Sequence, residues 1–191
     1  DVFTTCSKEF LSDWSNFYSE GIYDVNGVSV RRFSVDPRNA QLFDSINYKL
    51  IHGKNITNEE EFLFFKNNIN SSEMMKCIFD ERESRVYVFL PYLYGITFFG
   101  TQICREKSVL IPCLYDENYA YMKILQNMFK NIKGILFNSV PEKKIAEKIY
   151  QKLPINKVIG IGLSDVCGKD PEKFKKKFNV NKFILYTGRK D

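Results

Sequence analysis

The chain has 191 residues, 44% hydrophobic and 15% aromatic, with 10 Gly and 6 Pro, enough apolar material for one packed domain and no match to collagen-like, low-complexity or wholly disordered chains. Five Cys without a CxxC pair and a single His, His52, argue against a zinc site of ordinary spacing and for free thiols in a reducing compartment. The net charge of +5 is uneven, with 13 basic against 6 acidic residues over 141–191 and 15 against 17 elsewhere, and no apolar run approaches the ~18 residues that span a bilayer.

Asp1–Cys6 is a short β-prone run. Ile22–Val25 and Val28–Val35 flank Asn26-Gly27, a pair suited to the positive-φ positions of a type I′ turn, and predict a hairpin. Asp36-Pro37 offers an N-cap and a first-turn proline for a helix that stops near Gly53. Thr57-Asn-Glu-Glu60 is a capping-box pattern ahead of Phe62–Phe65, and Asn70–Glu83 carries an apolar stripe of Met74, Met75, Ile78 and Phe79.

From Arg85 the rhythm changes. Arg85–Leu90 reads as a buried strand, Tyr92–Glu106 as a helix, Ser108–Leu114 as a strand and Asn118–Lys130 as a helix. Gly134–Asn138 is again strand-like, a capping box from Ser139 to Glu142 opens a helix to about Leu153, and Lys157–Ile161 is one more strand. This alternation predicts an α/β fold, a Rossmann-like, mostly parallel sheet with helices on both faces, plus the hairpin near the N-terminus. Residues 162–181 break the pattern as a linker with a basic segment, Lys173–Phe178, and Phe183–Arg189 looks like the first strand of a further unit. Both ends read as cut through strands, as in a fragment.

In an open parallel sheet, ligands bind beyond the carboxyl ends of the strands. That rule selects Pro91–Gly95 with Thr97, Tyr115–Asn118, Asn138–Glu142 and Gly160–Leu163. A helix opening near Gly95 would present free N–H groups to an anion or a sugar hydroxyl, or else be a turn with core aromatics. Asp116 and Glu117 can accept from hydroxyls or act as a base, and equally can cap the next helix. Ser139 and Glu142 are explained in full by a capping box. Arg189 at a strand end suits a phosphate. The GxGxxG, Walker A, GxSxG and HExxH motifs do not occur in these residues.

Asp1–Cys6, Val25–Val35, Pro91–Gly95, Ile111–Glu117, Phe137–Ser139 with Glu142, and Tyr186–Asp191 together, in this order, resemble the N-terminal half of the family 4 glycosyltransferases, retaining GT-B enzymes that act on nucleotide sugars. The resemblance covers nearly the whole chain. It implies an acceptor-side domain over 1–161 lacking its first strand and helix, a linker over 162–181, and the first strand of a donor-binding domain over 182–191. It further implies transfer of a sugar from a nucleotide-sugar donor to a saccharide or lipid-linked acceptor, in polysaccharide or glycoconjugate synthesis, without a metal or other cofactor. The fragment alone is expected to be inactive.

Carried over by position, Tyr115 and Asp116 are the catalytic candidates, with Tyr115 standing where the family has a histidine beside the transferred sugar. Tyr92, Tyr94, Gly95, Thr97 and Glu117 would face the acceptor, and Arg189, Ser139, Glu142 and Gly162 the donor. The expected setting is cytoplasmic, with the basic C-terminal part meeting anionic membrane at its inner face, and with no nucleic-acid partner. A non-catalytic α/β ligand-binding module and a GT-B sugar-nucleotide epimerase are the alternatives.

Overall fold

The computed structural model describes residues 1–8, 13–162 and 170–184. The chain divides into two compact units, Asp1–Ile161 and Gly162–Asp191. The first is α/β and holds two sheets. Strands β1 (Val2–Thr5), β2 (Gly21–Val25) and β3 (Val28–Phe33) form a mixed sheet in the order β1-β3-β2. The hairpin β2–β3 turns at Asn26 and Gly27, both at positive φ, as its sequence requires, and β1 lies parallel to β3 on the far side.

Helices α1 (Ala40–Ile51), α2 (Asn58–Lys66) and α3 (Ser72–Glu81) follow. The first starts later than Asp36-Pro37 suggests. Asn39 caps it by accepting from Leu42 N–H, and Asp36 instead accepts from the N–H and hydroxyl of Ser72, at 2.9 and 2.7 Å. Asp36 thus meets the free N–H groups at the start of α3, 36 residues on in sequence, in preference to those of the much nearer α1. The capping box from Thr57 to Glu60 forms in both directions.

The second sheet is four-stranded, wholly parallel and Rossmann-like: β4 (Tyr87–Phe89), β5 (Ser108–Leu110), β6 (Gly134–Phe137) and β7 (Ile155–Val158), in chain order across the sheet. Helices α4 (Gly95–Ile103), α5 (Lys123–Asn131) and α6 (Val140–Tyr150) make the crossovers. Each of β4 and β5 is shorter than its apolar run, because residues 90–94 and 111–117 leave the ladder to form the loops at the strand ends. The last strand begins earlier than Lys157, at Ile155, where it pairs with Gly134.

Steps that all run in one direction, with right-handed crossovers, gather their helices on one face. On that face Phe89, Leu110, Ile135 and Phe137 pack with Phe98, Leu125, Phe129, Ala146 and Tyr150. Stacked rings knit the layer, Phe65 on Phe98 at 4.4 Å and Phe129 on Tyr150 at 4.0 Å. Gly100 admits Phe89 so closely that a Cβ there would stand 2.5 Å from its ring.

Helix α5 has no capping side chain of its own. Glu61 of α2, 5% exposed, supplies one from a distance: its two carboxylate oxygens accept from Lys123 N–H at 2.9 Å and Ile124 N–H at 2.8 Å. In the second unit, α7 (Pro171–Phe178) is capped by Asp170, ends in left-handed Asn179, and stacks Phe174 against Phe178 and Phe183.

Replacing Glu61 by Ala leaves two partly buried helix-end N–H groups without their charged acceptor, so Glu61→Ala should lower unfolding free energy by about 3 kcal/mol. Glu61→Gln, which keeps an acceptor without the charge, should recover part of that. The midpoint of a denaturant titration reads both.

Candidate functional site

The loops that leave β4, β5 and β6 meet at the carboxyl edge of the parallel sheet, and side chains lace them together. Tyr92, buried after the cis Leu90–Pro91 peptide, donates its N–H to Pro112 O at 3.0 Å and its hydroxyl to Glu117 Oε1 at 2.8 Å. Burial first, then the Glu117 charge, push the Tyr92 phenol far above its usual range. It is therefore a fixed hydrogen-bond donor that orients Glu117.

Glu142, 4% exposed, joins the next two loops. Its carboxylate accepts from Leu114 N–H at 2.8 Å and Asn138 N–H at 2.6 Å, while Ser139 Oγ accepts from the Glu142 N–H at 3.2 Å. The Ser139 cap forms as the sequence spacing requires, but the Glu142 side chain crosses to the neighbouring strand end instead of turning back on its own cap. Asn138 reaches the same loop through Cys113, whose Sγ accepts from Nδ2 at 3.4 Å. Cys113 holds φ at +54°, so the loop after β5 turns sharply just before Tyr115.

Beyond this braced floor, Tyr115 and Asp116 face solvent, Tyr115 at 69%. Asp116 accepts from the Tyr121 hydroxyl at 2.6 Å and lies 3.5 Å from Lys148 Nζ on α6. The Tyr121 hydrogen bond, then the Lys148 charge, hold its carboxyl below the ordinary aspartate range. A carboxylate so held is a weak proton acceptor but a durable negative charge, suited to receiving hydroxyls and to facing positive charge.

Tyr92 with Glu117, and Glu142 with Ser139, are thus bonded within adjoining loops, whereas Asp116, next to Tyr115, is held by Tyr121 and Lys148. Tyr94, Gly95 and Thr97 are engaged otherwise. Tyr94 meets Trp14 edge to face at 6.4 Å, and burial raises its phenol. Gly95 donates its N–H to Asn68 Oδ1 at 3.1 Å and lies so close to Asn70 that a Cβ would stand 2.4 Å from its Oδ1. Thr97 is buried and lines a cavity between β1 and β4. Gly162 is exposed and belongs to the second unit, and a Cβ there would meet nothing. Arg189, and the strand expected over 183–189 beyond Ile184, lie outside the described residues.

Sequence reasoning missed Tyr121 and Lys148. No motif links them to Asp116; a turn of 3-10 helix over Asn118–Tyr121 and the packing of α6 bring them in. Among the described residues no three His, Cys, Asp or Glu side chains cluster in a way that could hold a metal ion.

Burial also raises the phenols of Tyr150 and Tyr87, the latter to about 12. In the unfolded chain these groups ionise near about pH 10. Their contribution to stability is therefore complete below that pH and is lost as pH rises from there through the folded values. Tyr92→Phe should leave the native phenolate titration below about pH 11 unchanged and delay alkaline unfolding, measured by tyrosinate absorbance beside circular dichroism.

Comparison of the chain with models of protein families, with curated proteins and with solved structures returned no match.

Proposed function

We propose that this chain is the acceptor-side part of a retaining glycosyltransferase, which moves a sugar from a nucleotide-sugar donor to a saccharide or lipid-linked acceptor. The observation that carries the reading is the carboxyl edge of the parallel sheet, where Asp116 and Glu117 are presented side by side on a loop braced by Tyr92 and Glu142. Rigid carboxylates with tyrosines beside them match the chemistry of a polyhydroxyl ligand, whose hydroxyls donate to carboxylates and whose ring faces stack on aromatics.

The electrostatics agree with the reaction type. Retaining transfer passes through a sugar with oxocarbenium character as a diphosphate departs. Asp116, kept ionised by Tyr121 and Lys148, offers a fixed charge toward such a centre without having to take a proton. Glu117, oriented by the Tyr92 hydroxyl, would hold an acceptor hydroxyl. The donor diphosphate would be met by cations such as Arg189.

The test is made on the full-length gene product, with a panel of nucleotide sugars and saccharide or lipid-linked acceptors. Acceptor-dependent release of nucleoside diphosphate is expected, with Asp116→Asn lowering kcat by about 100-fold and leaving the fold intact. Saccharide binding without turnover across the panel would favour a binding module instead.

The basic helix α7 suits an anionic bilayer, with Lys175 and Lys177 to either side of Phe174 and Phe178 on the helix. Neutralising Lys175, Lys176 and Lys177 together should reduce partitioning onto vesicles containing phosphatidylserine by about 100-fold at low salt. Unchanged partitioning would remove the membrane from the reading.

A further inference from the structure

The mixed sheet of the first unit ends on an open strand. Among the described residues β2 pairs only with β3. The ladder fixes which of its backbone groups are free. Cys6 N–H donates to Phe33 O, so Phe33 and Arg31 turn their peptide groups to β1, and Val28, Val30 and Arg32 turn theirs to β2. Their partners Val25, Tyr23 and Gly21 are thereby engaged. Ile22 and Asp24 point their N–H and C=O groups out of the sheet, along an edge on which every residue is exposed.

A groove lies beside this edge. Gly21 and Ile22 line one wall and α3, through Glu73, Lys76 and Asp80, lines the other, around a cavity of about 600 Å³. Side chains alternate between the faces of a strand, so Ile22 and Asp24 share the face of Arg31, whose Nη1 lies 3.2 Å from Cys77 Sγ on α3. A segment laid along β2 would therefore turn the side chains beside Ile22 and Asp24 toward α3. The charges that meet them there are unequal. Lys76 pairs with Asp80 at 2.6 Å and Arg31 lies 3.8 Å from Glu81, while Arg32 lies over the Tyr18 ring at 4.3 Å. Glu20 and Glu73, one on each wall, have no ion-pair partner among the described residues.

We infer that β2 and α3 form a docking groove for an extended segment of a partner protein, which adds a strand to the open edge and carries Lys or Arg at the position beside Ile22. Backbone bonds to Ile22 and Asp24 would supply the affinity, and Glu20 and Glu73 the preference for a basic side chain. Ile22, 69% exposed, is the apolar contact on the same face. The unpaired carboxylates also disfavour a second copy of this chain. A two-fold axis at Tyr23 would match the outward groups of two such strands, Ile22 against Asp24, but would turn each Asp24 toward the groove that holds Glu20 and Glu73. The groove shares no residue with the loops that leave β4, β5 and β6, so its occupant is independent of the reaction proposed at that edge.

The full-length gene product is titrated with a synthetic peptide, Thr-Val-Lys-Val-Thr with blocked ends, and with the same peptide carrying Glu in place of Lys. Hydrogen exchange at the amides of Ile22 and Asp24 should slow as the Lys peptide is added, while Tyr23, already bonded to β3, changes little. The Glu peptide should bind about 5-fold more weakly, and Glu73→Gln should narrow that difference. Ile22→Pro, which removes an outward N–H and leaves the β3 ladder alone, should weaken binding of the Lys peptide about 10-fold without lowering the melting temperature. Unchanged exchange at Ile22 and Asp24 under millimolar Lys peptide, equal affinity for the two peptides, or binding that survives Ile22→Pro would each overturn the inference. So would protection of Ile22 and Asp24 that grows with protein concentration in the absence of peptide, since a second copy would then occupy the edge.

Discussion

A parallel sheet needs its strands held at their ends as well as along their ladders, since the loops there have no partner strand to satisfy their peptide groups. Glu142 meets that requirement between β5 and β6: one buried carboxylate accepts the N–H of Leu114 from one loop and of Asn138 from the next. Hydrogen bonds to a charged acceptor are worth about 1.5–3 kcal/mol each, and an unpaired carboxylate at this depth would be costly, so the pairing works in both directions. The turn at Cys113 and the exposure of Tyr115 and Asp116 follow from where this anchor fixes Leu114. Glu61 performs the same task at the start of α5. In both places an acidic side chain from one element completes the backbone of another, which couples elements far apart in the chain.

The edge that results has a rigid base and an open rim. Tyr92 and Glu142 are buried, and their side chains hold the bonds that shape the loops. Asp116 and Tyr115 are exposed, and the groups that hold Asp116 ionised, Tyr121 and Lys148, are exposed as well. Separation of this kind keeps the loop side chains in place while leaving their outer faces to the solvent. The same separation distinguishes the two sides of the molecule. The helix side of the parallel sheet is closed by stacked aromatic rings, and the opposite side presents valine and isoleucine to water.

The fold class was legible in the sequence because it depends on local signals. Asn26-Gly27, the Thr57 capping box, the Ser139 cap and the short apolar runs at 85–90, 108–114 and 134–138 each act within a few residues, and their order alone implies a parallel α/β sheet. The sheet-end rule selected the loops after β4, β5 and β6, which the fold brings to one edge of the sheet. Where local signals competed, tertiary contacts decided: Asp36 caps α3 and not α1, and Ser108–Leu114 yields half its length to a loop. Which side chains meet across the loops was also decided there. Nothing in the spacing of Glu61 and Lys123, Glu142 and Leu114, or Asp116 and Lys148 announces a contact, because the energy that joins them comes from burial and charge pairing that exist only once the helices have packed.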